Sequence, residues 1–237
     1  MNSLFIYESS SNLSYITCRL ESPYIVEFIG ASWTRPSDIE LVLEYMDQSD
    51  LKEVLEHRKP SEFTWFEKIE CALNIAEGLV YLHSMSIIHR DLKSRNVLMD
   101  SKKGTKLTDF GISREDTGET MTIGVGTYRW MAPEILQDNY YTVAADIFSF
   151  GMILSELDTH RIPYTDLSND KGNKLVDTAI INLVIQGAIK PTFTVNCPSW
   201  IQDLALKCIS QNPDDRPTAM KVSMLIRQNM HNRSMLV

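Results

Sequence analysis

The stretch His89 to Asn96, "HRDLKSRN", sits behind the apolar pair Ile87 and Ile88 and holds one histidine, one aspartate, one lysine, two arginines and one asparagine. A carboxylate, several cations and an amide crowd one short segment. Such a set can move a proton, hold an anion and offer hard oxygen to a cation. Whether it does so depends on the elements that position it and on what the rest of the chain supplies.

Residues 24 to 45 predict two strands: "YIVEFIGASW" and "IELVLEY" are rich in β-branched and aromatic residues, with "TRPSD" between them as a turn. From Thr64 the apolar period changes. Thr64 and Glu67 have the spacing of a capping box, and Ile69, Ala72, Leu73, Ala76, Leu79 and Val80 predict an amphipathic helix reaching about His83. Short segments around "NVLM" and "TKLTDF", joined by "DSKKG", read as a hairpin. The charged stretch therefore lies between a helix end and a hairpin. Further on, "VAADIFSFGMILSEL" is apolar around most of its circumference and predicts a helix inside the body. "PSWIQDLALKCIS", with Ile201, Leu204, Ala205, Cys208 and Ile209 on one stripe, and "TAMKVSMLIRQ", capped by Thr218, predict two more helices. Strands first and helices later suggest an α+β fold, without repeats.

Composition narrows the classes. The 237 residues are 43% hydrophobic and 23% charged, which is ordinary globular usage. A net charge of −8 argues against nucleic acid as the main partner. Cys18, Cys71, Cys197 and Cys208 lack metal-site or C-x-x-C spacing, so reduced thiols in a cytoplasmic or nuclear setting are expected. The N-terminal "MNSLFIYESSSN" has no basic leader, and its apolar run is too short for a signal core or a membrane segment.

In order along the chain come "HRDLKSRN", "DFG" at Asp109 to Gly111 and "APE" at Ala132 to Glu134. This ordered set resembles the eukaryotic protein kinase family. "GTYRWMAPEIL", "DIFSFGMILSEL" and "NPDDRPTAM" look like its tyrosine-kinase-like group of Ser/Thr kinases, similar to Raf and mixed-lineage kinases. The resemblance covers roughly residues 22 to 228. It implies a two-lobe fold with a truncated β-rich N-lobe over residues 1–46 (end of helix C, two strands, hinge) and a complete, mainly helical C-lobe over 47–237.

The resemblance also implies roles. Asp91 would orient the substrate hydroxyl and accept its proton, Lys93 would face the transferring phosphoryl group, and Asn96 and Asp109 would hold Mg2+ against ATP. Lys93 together with Thr127 would mark Ser/Thr protein substrates. In "LVLEYMDQSDL", Leu43 would be the gatekeeper, Glu44 and Met46 would hold adenine through their peptides, and Asp50 would meet the ribose. Leu98 would form the apolar floor under the base. Arg90 would bind a phosphate placed by an upstream kinase on the segment bearing Ser113, Thr117, Thr120 and Thr122, with Thr122 the preferred site. Glu134 and Arg216 would form a buried ion pair, and Asp146 would brace the backbone of the charged loop.

The chain also departs from the pattern. Gly30 is its first glycine and Lys52 its first lysine, so neither a G-x-G-x-x-G loop nor a strand lysine precedes the hinge. The helix glutamate position falls on Leu13, and Glu8, if helical, would be turned roughly 140° away from it. The expected result is a small lobe of one helix stub and two strands with an open edge, and very slow phosphate transfer. A fragment of an active Ser/Thr kinase is one reading. A pseudokinase or scaffold that binds partners through a kinase-like surface is the other.

Overall fold

The computed structural model describes residues 5–8, 20–35, 40–110 and 126–234. Strands β1 (Phe5–Glu8), β2 (Phe28–Ser32) and β3 (Glu40–Leu43) form one antiparallel sheet in the order β1-β3-β2. The predicted pairing of the second and third is present, with a register shift between Phe28 and Gly30. β1 corrects the two-strand expectation. Its backbone pairs Phe5 with Leu43 and Glu8 with Glu40, so β3 is central and Glu8 is extended rather than helical. Phe5, Ile6 and Tyr7 are strand-favouring residues. The expected helix stub, including Leu13, lies outside the described residues.

Below the sheet the chain is mostly helical. Helix α1 (Leu51–His57) starts where Asp50 Oδ1 accepts the Glu53 amide hydrogen at 2.9 Å. Helix α2 (Trp65–Ser84) opens with the predicted capping box: Thr64 Oγ1 accepts from the Glu67 amide at 3.3 Å, and Glu67 Oε2 accepts from the Thr64 amide at 2.7 Å. Strands β4 (Val97–Asp100) and β5 (Gly104–Leu107) form the hairpin after the charged loop. Asp100 Oδ1 closes its turn by accepting the amides of Lys102 and Lys103. Gly104 sits at φ +76°, where a side chain would be strained.

Helices α3 (Pro133–Asp138), α4 (Val143–Thr159), α5 (Asp177–Ile185), α6 (Ser199–Cys208) and α7 (Ala219–Ser234) follow. Helix α4 is buried without a break from Ala145 to Asp158, as its apolar circumference predicts. Its Gly151 admits α6 closely: a Cβ there would lie 2.6 Å from Ile209 Cγ2. The α6 stripe of Ile201, Leu204, Ala205 and Cys208 is buried against this body. Thr218 Oγ1 accepts the Lys221 amide at the head of α7. Cys71, Cys197 and Cys208 are free buried thiols, and no described helix is long and apolar enough to cross a membrane.

Candidate active site

The charged loop is hung from α4. Asp146, buried in the first turn of that helix, accepts three hydrogen bonds: from the His89 amide at 2.8 Å, from the Arg90 amide at 3.0 Å and from His83 Nε2 at 2.8 Å. Arg90 has a left-handed backbone, φ +66°, which costs a non-glycine residue about 1 kcal/mol. Two amides held by one carboxylate offset that cost. The loop then turns through a short 3₁₀ segment, Ser94–Asn96, and reverses direction into β4.

Asp91, Lys93 and Asn96 come together at this turn. Lys93 Nζ donates to Asp91 Oδ2 at 2.7 Å and to Thr127 Oγ1 at 3.4 Å. Asn96 Nδ2 donates to the Asp91 carbonyl at 2.7 Å and to Asp91 Oδ2 at 3.0 Å. Its Oδ1 has no partner among the described residues. The Asn96 carbonyl accepts the Thr108 amide at 3.0 Å, which ties the loop to the segment entering Asp109, itself left-handed at φ +53°. Phe110 packs edge-on against the His89 ring, centroids 6.0 Å apart. Both His89 ring nitrogens are buried without a partner among the described residues, and burial pulls the imidazole pKa down, which favours the neutral ring.

A second carboxylate lies beneath the turn. Glu156 of α4 accepts from Ser94 Oγ at 2.7 Å and from Trp130 Nε1 at 2.6 Å, linking the charged loop to the Thr127–Trp130 turn. It is buried, and desolvation pushes its carboxyl up to about 8, against both hydrogen bonds. The folded protein keeps this proton to about pH 8, whereas an unfolded chain releases it near 4.5. The folded state thus binds more protons within that window, so its stability falls as pH rises through it, by about 1 kcal/mol per unit. Glu156→Gln is expected to remove this component. Urea unfolding at pH 5.5, 6.5 and 7.5 checks it; equal slopes for wild type and variant would refute the assignment.

On the sheet side, Leu43 packs with Val26 and Leu41, and the partly buried Leu98 and Phe28 lie against them. Leu43 and Leu98 thus share one apolar cluster. Asp50 N-caps α1 and bridges to Leu98. The Glu44 side chain turns to the cations behind the connection, Lys106 and Lys103, and accepts the Glu27 amide at 2.8 Å. Burial raises its pKa, and these bonds together outweigh burial and hold it below the ordinary carboxylate value. The Glu44 amide hydrogen donates to the Glu27 carbonyl at 3.0 Å. It is therefore engaged, and that peptide offers only its carbonyl. Met46 is 4% exposed, yet its N–H and C=O have no partner among the described residues.

The predicted anchor is formed. Arg216 donates to Glu134 Oε1 at 2.6 Å and to Oε2 at 2.8 Å, with the guanidinium stacked over Phe148. Arg90 lies 5.5 Å from the Tyr141 ring centroid. Ser113, Thr117, Thr120 and Thr122 fall outside the described residues. Sequence reasoning missed His83, Glu156, Lys103, Lys106 and Tyr141. The only signal for any of them was Glu156 itself, a charge within an apolar helix.

A protein kinase domain model matches residues 11–225. The chain belongs to the protein kinase family. It is 36% identical over 200 residues to the serine/threonine/tyrosine-protein kinase HT1 of Arabidopsis thaliana, covering 84% of this chain and 49% of that protein. It is 34% identical over 215 residues to the serine/threonine-protein kinase STY17 of the same plant, covering 90% and 36%. Against the probable serine/threonine-protein kinase drkA of Dictyostelium discoideum it is 36% identical over 202 residues, covering 84% and 30%. This kinase domain spans about half or less of the length of these relatives. Protein kinases use ATP with Mg2+. Among the described residues this one has no cluster of three or more metal-ligating His, Cys, Asp or Glu.

Proposed function

We propose that this chain is the catalytic part of a protein serine/threonine kinase, and that Asp91 is its base. The supporting observation is the convergence of Lys93 Nζ and Asn96 Nδ2 on Asp91 Oδ2, with Thr127 on the far side of the lysine. Asp91 orients the acceptor hydroxyl and takes its proton as the new P–O bond forms and the bond from the γ-phosphorus to the β–γ bridging oxygen breaks, ADP leaving with the electron pair. Lys93 sets a cation beside the transferring phosphoryl group, whose oxygens carry the negative charge. Asn96 turns both its donated bonds to Asp91, which leaves Oδ1, with Asp109, to hold Mg2+. ATP would supply the γ-phosphoryl group there, and Mg2+ held by Asn96 and Asp109 would supply the charge neutralisation for its oxygens. The Glu44 carbonyl and the Met46 peptide receive the adenine edge, Leu43 and Leu98 enclose its face, and Asp50 meets the ribose.

Arg90 is the cation we assign to a phosphate on Thr122, placed there by an upstream kinase. The free thiols favour an intracellular setting. A mixed Ser/Thr peptide pool with radiolabelled ATP tests the reading, run on the full chain beside Asp91→Asn. Slow transfer to Ser/Thr is expected, about a hundredfold lower in the variant. Nucleotide binding without any Asp91-dependent transfer would favour a partner-binding scaffold instead.

A further inference from the structure

The end of α2, the head of α4 and the turn leading into α7 leave a groove of about 500 Å3 between them. Its walls are mostly apolar, built from Val80, Val143, Ile147, Pro217 and Met220. Val143 is 42% exposed and Met220 56%, although both are of a type that folding usually covers. The apolar exposure also continues past the groove. Met224, on the same face of α7 one turn beyond Met220, is 46% exposed, and Met85, which follows the groove residue Ser84, is 51% exposed. A continuous apolar surface of this kind marks a place where something binds.

The polar side chains of the lining say what that is. Arg216 gives its fork to Glu134 and a further bond to the Ala144 carbonyl, so this cation is engaged. His83 Nε2 donates to Asp146, which in the neutral ring leaves Nδ1 as an acceptor without a partner among the described residues. Asp214 is exposed and has no ion pair among the described residues. The one charged lining side chain left open is therefore negative.

We propose that this groove docks an amphipathic peptide segment of a partner protein, in which apolar residues flank a lysine or arginine. The apolar side chains would enter between Val80, Ile147 and Met220, and the cation would meet Asp214. Exposed thioethers suit such a surface, because methionine adapts to the shape packed against it. The site also reaches the reaction centre. His83 holds Asp146 and Arg216 holds Glu134, so a bound segment touches the supports of both the charged loop and the Glu134 anchor.

The test uses fluorescein-labelled helical peptides of about fourteen residues, leucine on one face and a single central lysine or glutamate, read by anisotropy against the full chain. The lysine peptide is expected to bind roughly three- to fivefold tighter than the glutamate one. That preference should shrink with salt, vanish in Asp214→Asn and invert in Asp214→Lys. Met220→Asp should weaken both peptides by about tenfold, with urea unfolding of each variant showing that the fold is kept. A lysine preference unchanged in Asp214→Lys would place the peptide elsewhere on the acidic surface and overturn the proposal. So would no binding at all. Octylamine tests the remaining source of the same chemistry: displacing the bound peptide supports the groove, whereas shifting the groove resonances when no peptide binds overturns the partner segment in favour of a small amine. No arm uses phosphate transfer, so the outcome is independent of the kinase reading.

Discussion

Arg216→Ala is expected to lower the free energy of unfolding by about 3–5 kcal/mol. The guanidinium is fully buried and makes two short bonds to Glu134, with further donations to the carbonyls of Ser210 at 2.8 Å and Ala144 at 3.0 Å. Truncation leaves a largely buried carboxylate and those carbonyls without their donor, and removes the stack on Phe148. At roughly 2–4 °C per kcal/mol for a chain of this size, the midpoint should drop by about 10 °C. Lysine cannot replace the planar fork, so Arg216→Lys should recover little. Replacing both partners, as Arg216→Met with Glu134→Leu, should recover much of the loss, because no charge is then stranded. Thermal and urea unfolding of the set check this; a loss under about 1 kcal/mol for Arg216→Ala would show that the pair holds little.

Asp146→Ala should cost a similar amount, about 3–4 kcal/mol, for a different reason. It strands the amides of His89 and Arg90 and releases a left-handed backbone at the latter. His83→Ala removes only one donor to the same carboxylate and should cost about 1 kcal/mol. The loop carrying Asp91 is the part displaced, so Asp146→Ala should depress transfer more than nucleotide binding. Urea unfolding, nucleotide titration and transfer rates on the same preparations separate these effects.

What the sequence disclosed follows from how far each contact reaches. The Thr64 cap and the turn at Asp100 are local, and residue type at short spacing suffices to find them. Asp91, Lys93 and Asn96 lie within six residues, so one loop brings them together, although their roles came from resemblance. The Glu134–Arg216 pair spans 82 positions and was legible only through that resemblance. β1 was missed because three strand-formers and a glutamate acquire meaning only when Glu40–Leu43 lies beside them. At Glu44 the resemblance implied a hinge peptide, but the engagement of its amide with Glu27 and its carboxylate with Lys103 and Lys106 was not legible. Glu156 stood out as a charge among apolar residues, yet nothing in its neighbourhood along the chain names Ser94 or Trp130.

Helix α4 reaches the charged loop through Asp146, the turn before α3 through Ser149 and Glu156, and the chain leading to α6 through Asp158, which accepts from Thr194. Amide protons at His89 and Arg90 are bonded to a carboxylate of this buried helix, so their exchange with solvent should require opening of the body itself. The segment drawn as a loop thus shares the rigidity of the core. Asp91 follows Arg90 directly on that loop, so its backbone is held through a neighbour that is bonded to the buried helix.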